Sequence, residues 1–203
     1  MQPSSRQQLN LDRMTKIITR SPDARALARR LWKFFEFQLQ CRLPNIDKDE
    51  PSTSHIKIEP FLQTHRPGDL APEVVIRDSP RREEALIHEL LHLNLILLGY
   101  PKFYIHAKDD EQWDLAGGIL NKADHPVMLP TFKSFGYSEQ LFLGPSRRPL
   151  TVREQRVNED LEQLKSELVS PEGYCRGISA YLSNHSIKHD VVWIAKIIQS
   201  SGK

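Results

Sequence analysis

The sequence predicts an α+β fold, mainly helical, with a small sheet next to one central helix and further helices towards the C-terminus. Three observations carry that reading. Apolar residues recur at helical spacing along most of the chain, as in Ala24, Leu27, Ala28, Leu31, Phe34 and Phe35. Only two short stretches read as strands. One segment, Ala85 to Leu98, is apolar almost all round, as expected of a helix in the middle of a domain. The 203 residues include 39% hydrophobic and 27% charged side chains, enough of each for a soluble domain with a core and one appendage. The expected organisation is a flexible N-terminus over 1–20, a core over 21–144 and a C-terminal helical extension over 145–203.

Residues 1–20 are polar and basic and predict a loosely packed tail. Ser21-Pro22-Asp23 opens the first helix, with Ser as N-cap and Pro at the first helical position. Pro44 to Ser54 is a loop by composition. His55-Ile56-Lys57-Ile58-Glu59 alternates as a strand, and Val74-Val75-Ile76 is a second. The turn-rich Thr64 to Asp69 joins them. Ser79-Pro80 then repeats the helix-start signal, and Gly99 followed by Pro101 is a helix stop. Beyond it, Phe103-Tyr104-Ile105 is short and apolar. Asp109-Asp110-Glu111 opens a helical pattern through Trp113, Leu115, Ala116, Ile119 and Leu120, weakened by Gly117-Gly118. Gly144 to Pro149 marks a boundary. Thr151-x-x-Glu154 is a capping box, and Val157, Leu161, Leu164 and Leu168 form the narrow stripe of a helix that packs on one other. Two last helices are expected over Tyr174–Leu182 and Ile187–Ile198.

The central helix carries His88-Glu89-Leu90-Leu91-His92. Residues four apart share one helix face, so the two imidazoles can reach one tetrahedral ion at Zn–N distances of about 2.0–2.1 Å. Glu89 adjoins the first of them, where a carboxylate can take a proton from an activated water. Two histidines and a glutamate among so many leucines are costly unless something satisfies them. A hydrogen-bonded core histidine pair is the simpler alternative.

A hydrolytic zinc site has three protein donors and keeps a fourth position open, so one donor must come from elsewhere. Asp124-His125 is the preferred source, since it follows a helix long enough to lie beside the motif helix. His125 is favoured by its frequency as a zinc ligand, Asp124 if the site follows a two-His-plus-carboxylate pattern. The residues leave the choice open. His106 reads as a loop residue, and Glu111 and Asp114 as acids favoured at a helix start.

With these residues the chain resembles the zincin metallopeptidases, in particular the compact bacterial zincins of the minimal gluzincin type. The likeness rests on the His88-Glu89-x-x-His92 helix, the Val74–Ile76 strand before it and a downstream helix ending Asn121-x-x-Asp124-His125. It spans roughly residues 21–144 by order of elements, and the pentapeptide is its specific part. It implies a zincin-like core, a zinc ion held by His88 and His92, Glu89 as general base, and hydrolysis of peptide bonds in a peptide or protein substrate. The gluzincin third ligand is a glutamate, and Asp124-His125 stands in its place. The third histidine of the metzincins is absent after His92. An oxyanion-stabilising Tyr or His is expected from the second half, with Tyr137, Tyr104 and His106 as candidates. An extended substrate is expected to add to the sheet along the Val74–Ile76 strand.

Two other classes compete with this reading. In a non-catalytic metal-binding or helical interaction module, the Val157/Leu161/Leu164/Leu168 stripe and the C-terminal helices would contact a protein partner. In a DNA-associated protease, Arg147, Arg148, Arg153 and Arg156 would meet nucleic acid. A net charge of +2 and the lack of interleaved aromatics argue against nucleic acid. Cys41 and Cys175 form no CxxC pair, which argues against a disulfide framework and a cysteine zinc site. No stretch is apolar enough to serve as a leader or membrane span, so a cytoplasmic location is expected.

Overall fold

A computed structural model describes residues 5–35, 40–42, 55–58, 72–76, 79–143 and 152–194. Its elements are α1 (Ser5–Ile17), α2 (Pro22–Phe34), β1 (Gln40–Arg42), β2 (His55–Ile58), β3 (Pro72–Val75), α3 (Arg82–Leu97), β4 (Lys102–His106), α4 (Asp110–Ser134), α5 (Glu139–Leu143), α6 (Val152–Leu164), α7 (Pro171–Asn184) and β5 (Lys188–Val192). Helices dominate and two small sheets accompany them, an α+β arrangement. Several expectations lie outside the described residues: the 44–54 loop, the 64–69 connection, the 144–149 boundary with Arg147 and Arg148, and the Thr151 cap with the Glu154 side chain. Among the described residues no helix is long and apolar enough to cross a membrane.

The chain divides into two compact units, one of Met1–Asn94 with Thr131–Gly144, the other of Leu95–Pro130 with Pro145–Lys203. The division falls within two helices: α3 ends in the second unit with Leu95–Leu97, and α4 ends in the first with Thr131–Ser134.

In the first unit the N-terminal segment is not the loose tail its polarity suggests. It forms α1, and Met14 and Ile18 are wholly buried. Polar composition hid two well-placed apolar residues. Helix α2 begins as expected: Ser21 Oγ accepts the Ala24 amide at 3.2 Å, and Ala24, Leu27, Ala28, Leu31 and Trp32 form its buried face. The three-stranded sheet has the order β1-β3-β2, with β3 parallel to β1 and antiparallel to β2. Strand β3 therefore has neighbours on both sides, and the expected addition of a substrate strand to it is corrected: its backbone groups are already paired. Buried on β1, the Cys41 thiol is pushed up to about 11 by desolvation, against the opposing pull of Arg13, and is inert at neutral pH.

Helix α3 starts at Arg82, two residues beyond the Pro80 signal. Ser79 and Pro80 make the turn into it, where Ser79 Oγ accepts the Arg81 amide at 3.3 Å. It stops as its sequence dictates. Gly99 has φ +85°, its amide reaches Ile96 O at 3.1 Å, and the Tyr100 amide reaches Leu95 O at 2.9 Å. This paired closure requires the left-handed conformation that glycine adopts freely.

The second unit departs furthest from expectation. The sequence pattern predicts a helix over 187–198; within the described part of that span Lys188–Val192 form strand β5, antiparallel to β4 with Ile105 opposite His189. A preceding turn with Ser186 at φ 58° sets the strand off from α7. The C-terminal segment is thus no separate extension, because it completes a sheet begun at residue 102. Helix α4 is also longer than its pattern suggests, running on through Pro126 and Pro130 to Ser134. Both rings lack an amide, so Lys122 O and Pro126 O lose their intrahelical donors. Val157, Leu161 and Leu168 are buried, so the stripe proposed for a protein partner is largely consumed inside the chain's own fold.

Candidate metal centre

Helix α3 presents the motif as its spacing dictates. His88 Nε2 and His92 Nε2 lie 3.2 Å apart, with ring centroids at 5.0 Å and planes at 63°. Two nitrogens bound at about 2.0–2.1 Å to one tetrahedral ion stand about 3.3 Å apart. The observed separation suits either a shared proton or a cation between the rings. His92 is buried and His88 half-buried.

Glu89 occupies the position beside His88 and is only 7% exposed. Burial raises its carboxyl to about 7, against the opposing influence of His92.

The ligand-capable atoms of His88, His92 and His125 all lie within 4.8 Å of one another. Among the described residues this is the group of three or more His, Cys, Asp and Glu side chains close enough to share an ion. Three imidazoles form a donor set that zinc accepts, with one tetrahedral position left over. The residues fit the metal in type and in the spacing of the first pair.

Asp124, the other candidate, is engaged differently. It is buried, and its Oδ1 accepts the Tyr174 hydroxyl at 2.6 Å. Burial, and then the charge of Asp124, push the Tyr174 hydroxyl far above the usual range, so it stays a donor. The remaining candidates lie outside the histidine group. His106 is exposed and its Nε2 is 2.7 Å from Asp190 Oδ2. Glu111 and Asp114 are exposed on the first turns of α4.

Of the three oxyanion candidates, Tyr137 is corrected by its partner. Its buried hydroxyl donates to Glu83 Oε1 at 2.5 Å, and burial and that bond raise its pKa, so its proton is already committed. Tyr104 sits half-buried on β4 opposite Asp190, and His106 is held by the same Asp190.

Sequence reasoning overlooked Glu83. It lies five residues before His88 on the same helix and accepts from Thr19 N at 3.0 Å, Thr19 Oγ1 at 2.8 Å and Arg20 N at 2.9 Å, besides Tyr137. Arg20 also pairs with Glu84, and its guanidinium lies 4.7 Å from the centre of the Tyr137 ring. Burial alone would raise the Glu83 carboxyl, but the bonds from Tyr137, Arg20 and Thr19 outweigh it and hold it below its ordinary value. The available signal was a pair of acids on the face of an otherwise apolar helix. Phe142 was also overlooked; its ring stands 4.7 Å from that of His88.

Compared with protein-family models, with curated proteins and with solved structures, the chain matches none of them.

Proposed function

We propose that this chain is a zinc-dependent peptide hydrolase in which His88, His92 and His125 hold the metal and Glu89 is the general base. The observation that carries the reading is the convergence of three histidine nitrogens within 4.8 Å, two of them on an HExxH helix. His125 is preferred to Asp124 as third donor, because the Asp124 carboxylate already accepts the Tyr174 hydroxyl.

When bound, zinc supplies Lewis acidity and lowers the pKa of a coordinated water from 15.7 towards about 7. The chain's own residues do the rest. The three imidazoles carry no net charge when neutral, so they leave the cation's full charge available. Glu89, on the same helix turn as His88, accepts a proton at its carboxylate and returns it to the departing amine nitrogen. Its burial keeps it from bulk water and raises its basicity towards neutral pH. The near-continuous apolar surface of α3, from Leu86 to Ile96, excludes competing solvent from the helix that carries all three functional residues of the motif.

The test is metal content and proteolysis in parallel. Purified protein should hold close to one zinc per chain, and His88→Ala or His92→Ala should remove it. Glu89→Gln should keep the metal, since Glu89 is not a donor, and lower hydrolysis of a casein or peptide-library substrate by at least about 100-fold. Undiminished proteolysis in Glu89→Gln would sink the role given to Glu89, and absence of zinc from the parent protein would sink the metal centre.

A further inference from the structure

The His88 ring has an aromatic neighbour that the metal centre does not itself require. Phe142, on the short helix α5, is 5% exposed and lies 4.7 Å from His88 between centroids, tilted by 39°. Phe132 stands 5.0 Å from Phe142, and Tyr137 5.2 Å from Phe132. The Tyr137 hydroxyl then returns to Glu83, on the helix that carries His88. These contacts form a closed circuit within the first unit: it leaves α3 at Glu83, passes through Tyr137, Phe132 and Phe142, and rejoins α3 at His88. Gly136, with φ +89° at the end of α4, lets the chain turn so that Tyr137 and Phe142 follow directly.

An imidazole turns easily about χ2, and half a turn puts Cε1 where Nε2 stood and Cδ2 where Nδ1 stood, so a carbon replaces the donor nitrogen. A metal-ligating ring must be held in one of the two orientations, commonly by a hydrogen bond to its second nitrogen. An aromatic ring packed against it at close range can do the same by obstructing rotation in a close-packed interior. We infer that Phe142 is a positioning residue for the metal centre, holding the His88 imidazole with Nε2 towards His92, and that Glu83, Tyr137 and Phe132 brace it. The inference rests on the proposed zinc reading for its purpose, though not for its geometry.

The experiment compares Phe142→Ala, Phe142→Leu, Phe142→Tyr, Tyr137→Phe and, as a stability control, Met14→Ala. Met14 is wholly buried on α1, which packs on α2 and β1. Zinc affinity is read by chelator competition, and coordination by the visible spectrum of the cobalt-substituted protein. The His88 ring proton shifts are read by NMR without metal. Phe142→Ala should weaken zinc binding by about 10–100-fold, the usual loss for a residue supporting a ligand, and alter the cobalt bands. Phe142→Leu should fall between that variant and the parent, and stands in for it if Phe142→Ala does not fold. Phe142→Tyr, which keeps the ring, should restore both readouts, and Tyr137→Phe should give a smaller loss in the same direction. Met14→Ala should lower the melting temperature and leave affinity and spectrum alone. Parent-like affinity and spectrum in Phe142→Ala, or an equal loss in Met14→Ala, overturns the inference. If the parent binds no metal, the zinc reading fails by itself. The metal-free shifts still decide the positioning claim: it stands if Phe142→Leu moves the His88 resonances and falls if they stay in place.

Discussion

Glu83 gathers two backbone amides, a threonine hydroxyl and a tyrosine hydroxyl around one buried carboxylate. Each bond to a charged acceptor contributes about 1.5–3 kcal/mol less what desolvation takes back. Glu83→Gln should therefore destabilise the protein by about 2–3 kcal/mol at neutral pH, visible in chemical denaturation. The pH dependence has a definite sign. Because the folded carboxyl titrates below its unfolded value of about 4.3, its contribution is present above that pH. It fades as pH falls through the lower, folded value. Melting temperature should decline on acidification below about pH 4, and Glu83→Gln should flatten that limb. An unchanged acid limb in the variant would assign the decline to other carboxylates. At Asp124 the expected order is equally definite. His125→Ala should lower zinc affinity by more than about 100-fold. Asp124→Asn should cost no more than the 10–100-fold of a supporting residue, together with stability from the disturbed Tyr174 bond. A reversal of the two would make Asp124 the ligand.

Secondary structure was legible at several local caps and periods. Ser21, Gly99 and the His88/His92 spacing each act within one or two helical turns, and the structure realises all three. What escaped was set by distant partners. Nothing near Lys188 announces that it will lie opposite His106 across the β4–β5 pair, and nothing near Glu83 announces Tyr137. The continuation of α4 through Pro126 and Pro130 runs against a local rule, since each ring removes one amide from the helix. Glycines in two helices give a matched test of element-scale packing. A Cβ on Gly173 of α7 would meet the Glu167 carbonyl oxygen at 2.1 Å, so backbone must move; one on Gly118 of α4 would meet nothing within 4 Å. Gly173→Ala should lose about 1–3 kcal/mol, and Gly118→Ala should gain about 0.5–1 kcal/mol from helix propensity. Thermal denaturation of the two variants checks both signs, and a stabilised Gly173→Ala would refute the close approach.

For the whole molecule, the α+β class and the HExxH helix were readable, whereas the division into units was readable only at 144/145. A chain reads as a line, and the boundary that local composition marks near residue 145 coincides with one of the three places where the chain passes between units, 144/145. The other two, at 94/95 and 130/131, follow contacts, which join 95–130 to the C-terminal segment and 131–144 to the N-terminal one.

That discontinuity has a consequence for the order of assembly. The motif helix is finished at Leu97, but Phe132, Tyr137 and Phe142 emerge only after the whole of 98–131 has been made. During synthesis, Glu83 must wait without the Tyr137 hydroxyl, and His88 without Phe142. Contacts of such separation form late and slow the search for the native state. A chain truncated after Pro130 would contain the entire pentapeptide and all three histidines, yet lack the segment that closes its first unit. It should be degraded by trypsin or thermolysin far faster than the full chain and fail to retain zinc. Equal resistance and equal zinc retention would mean that the nascent helix is already held by what precedes it.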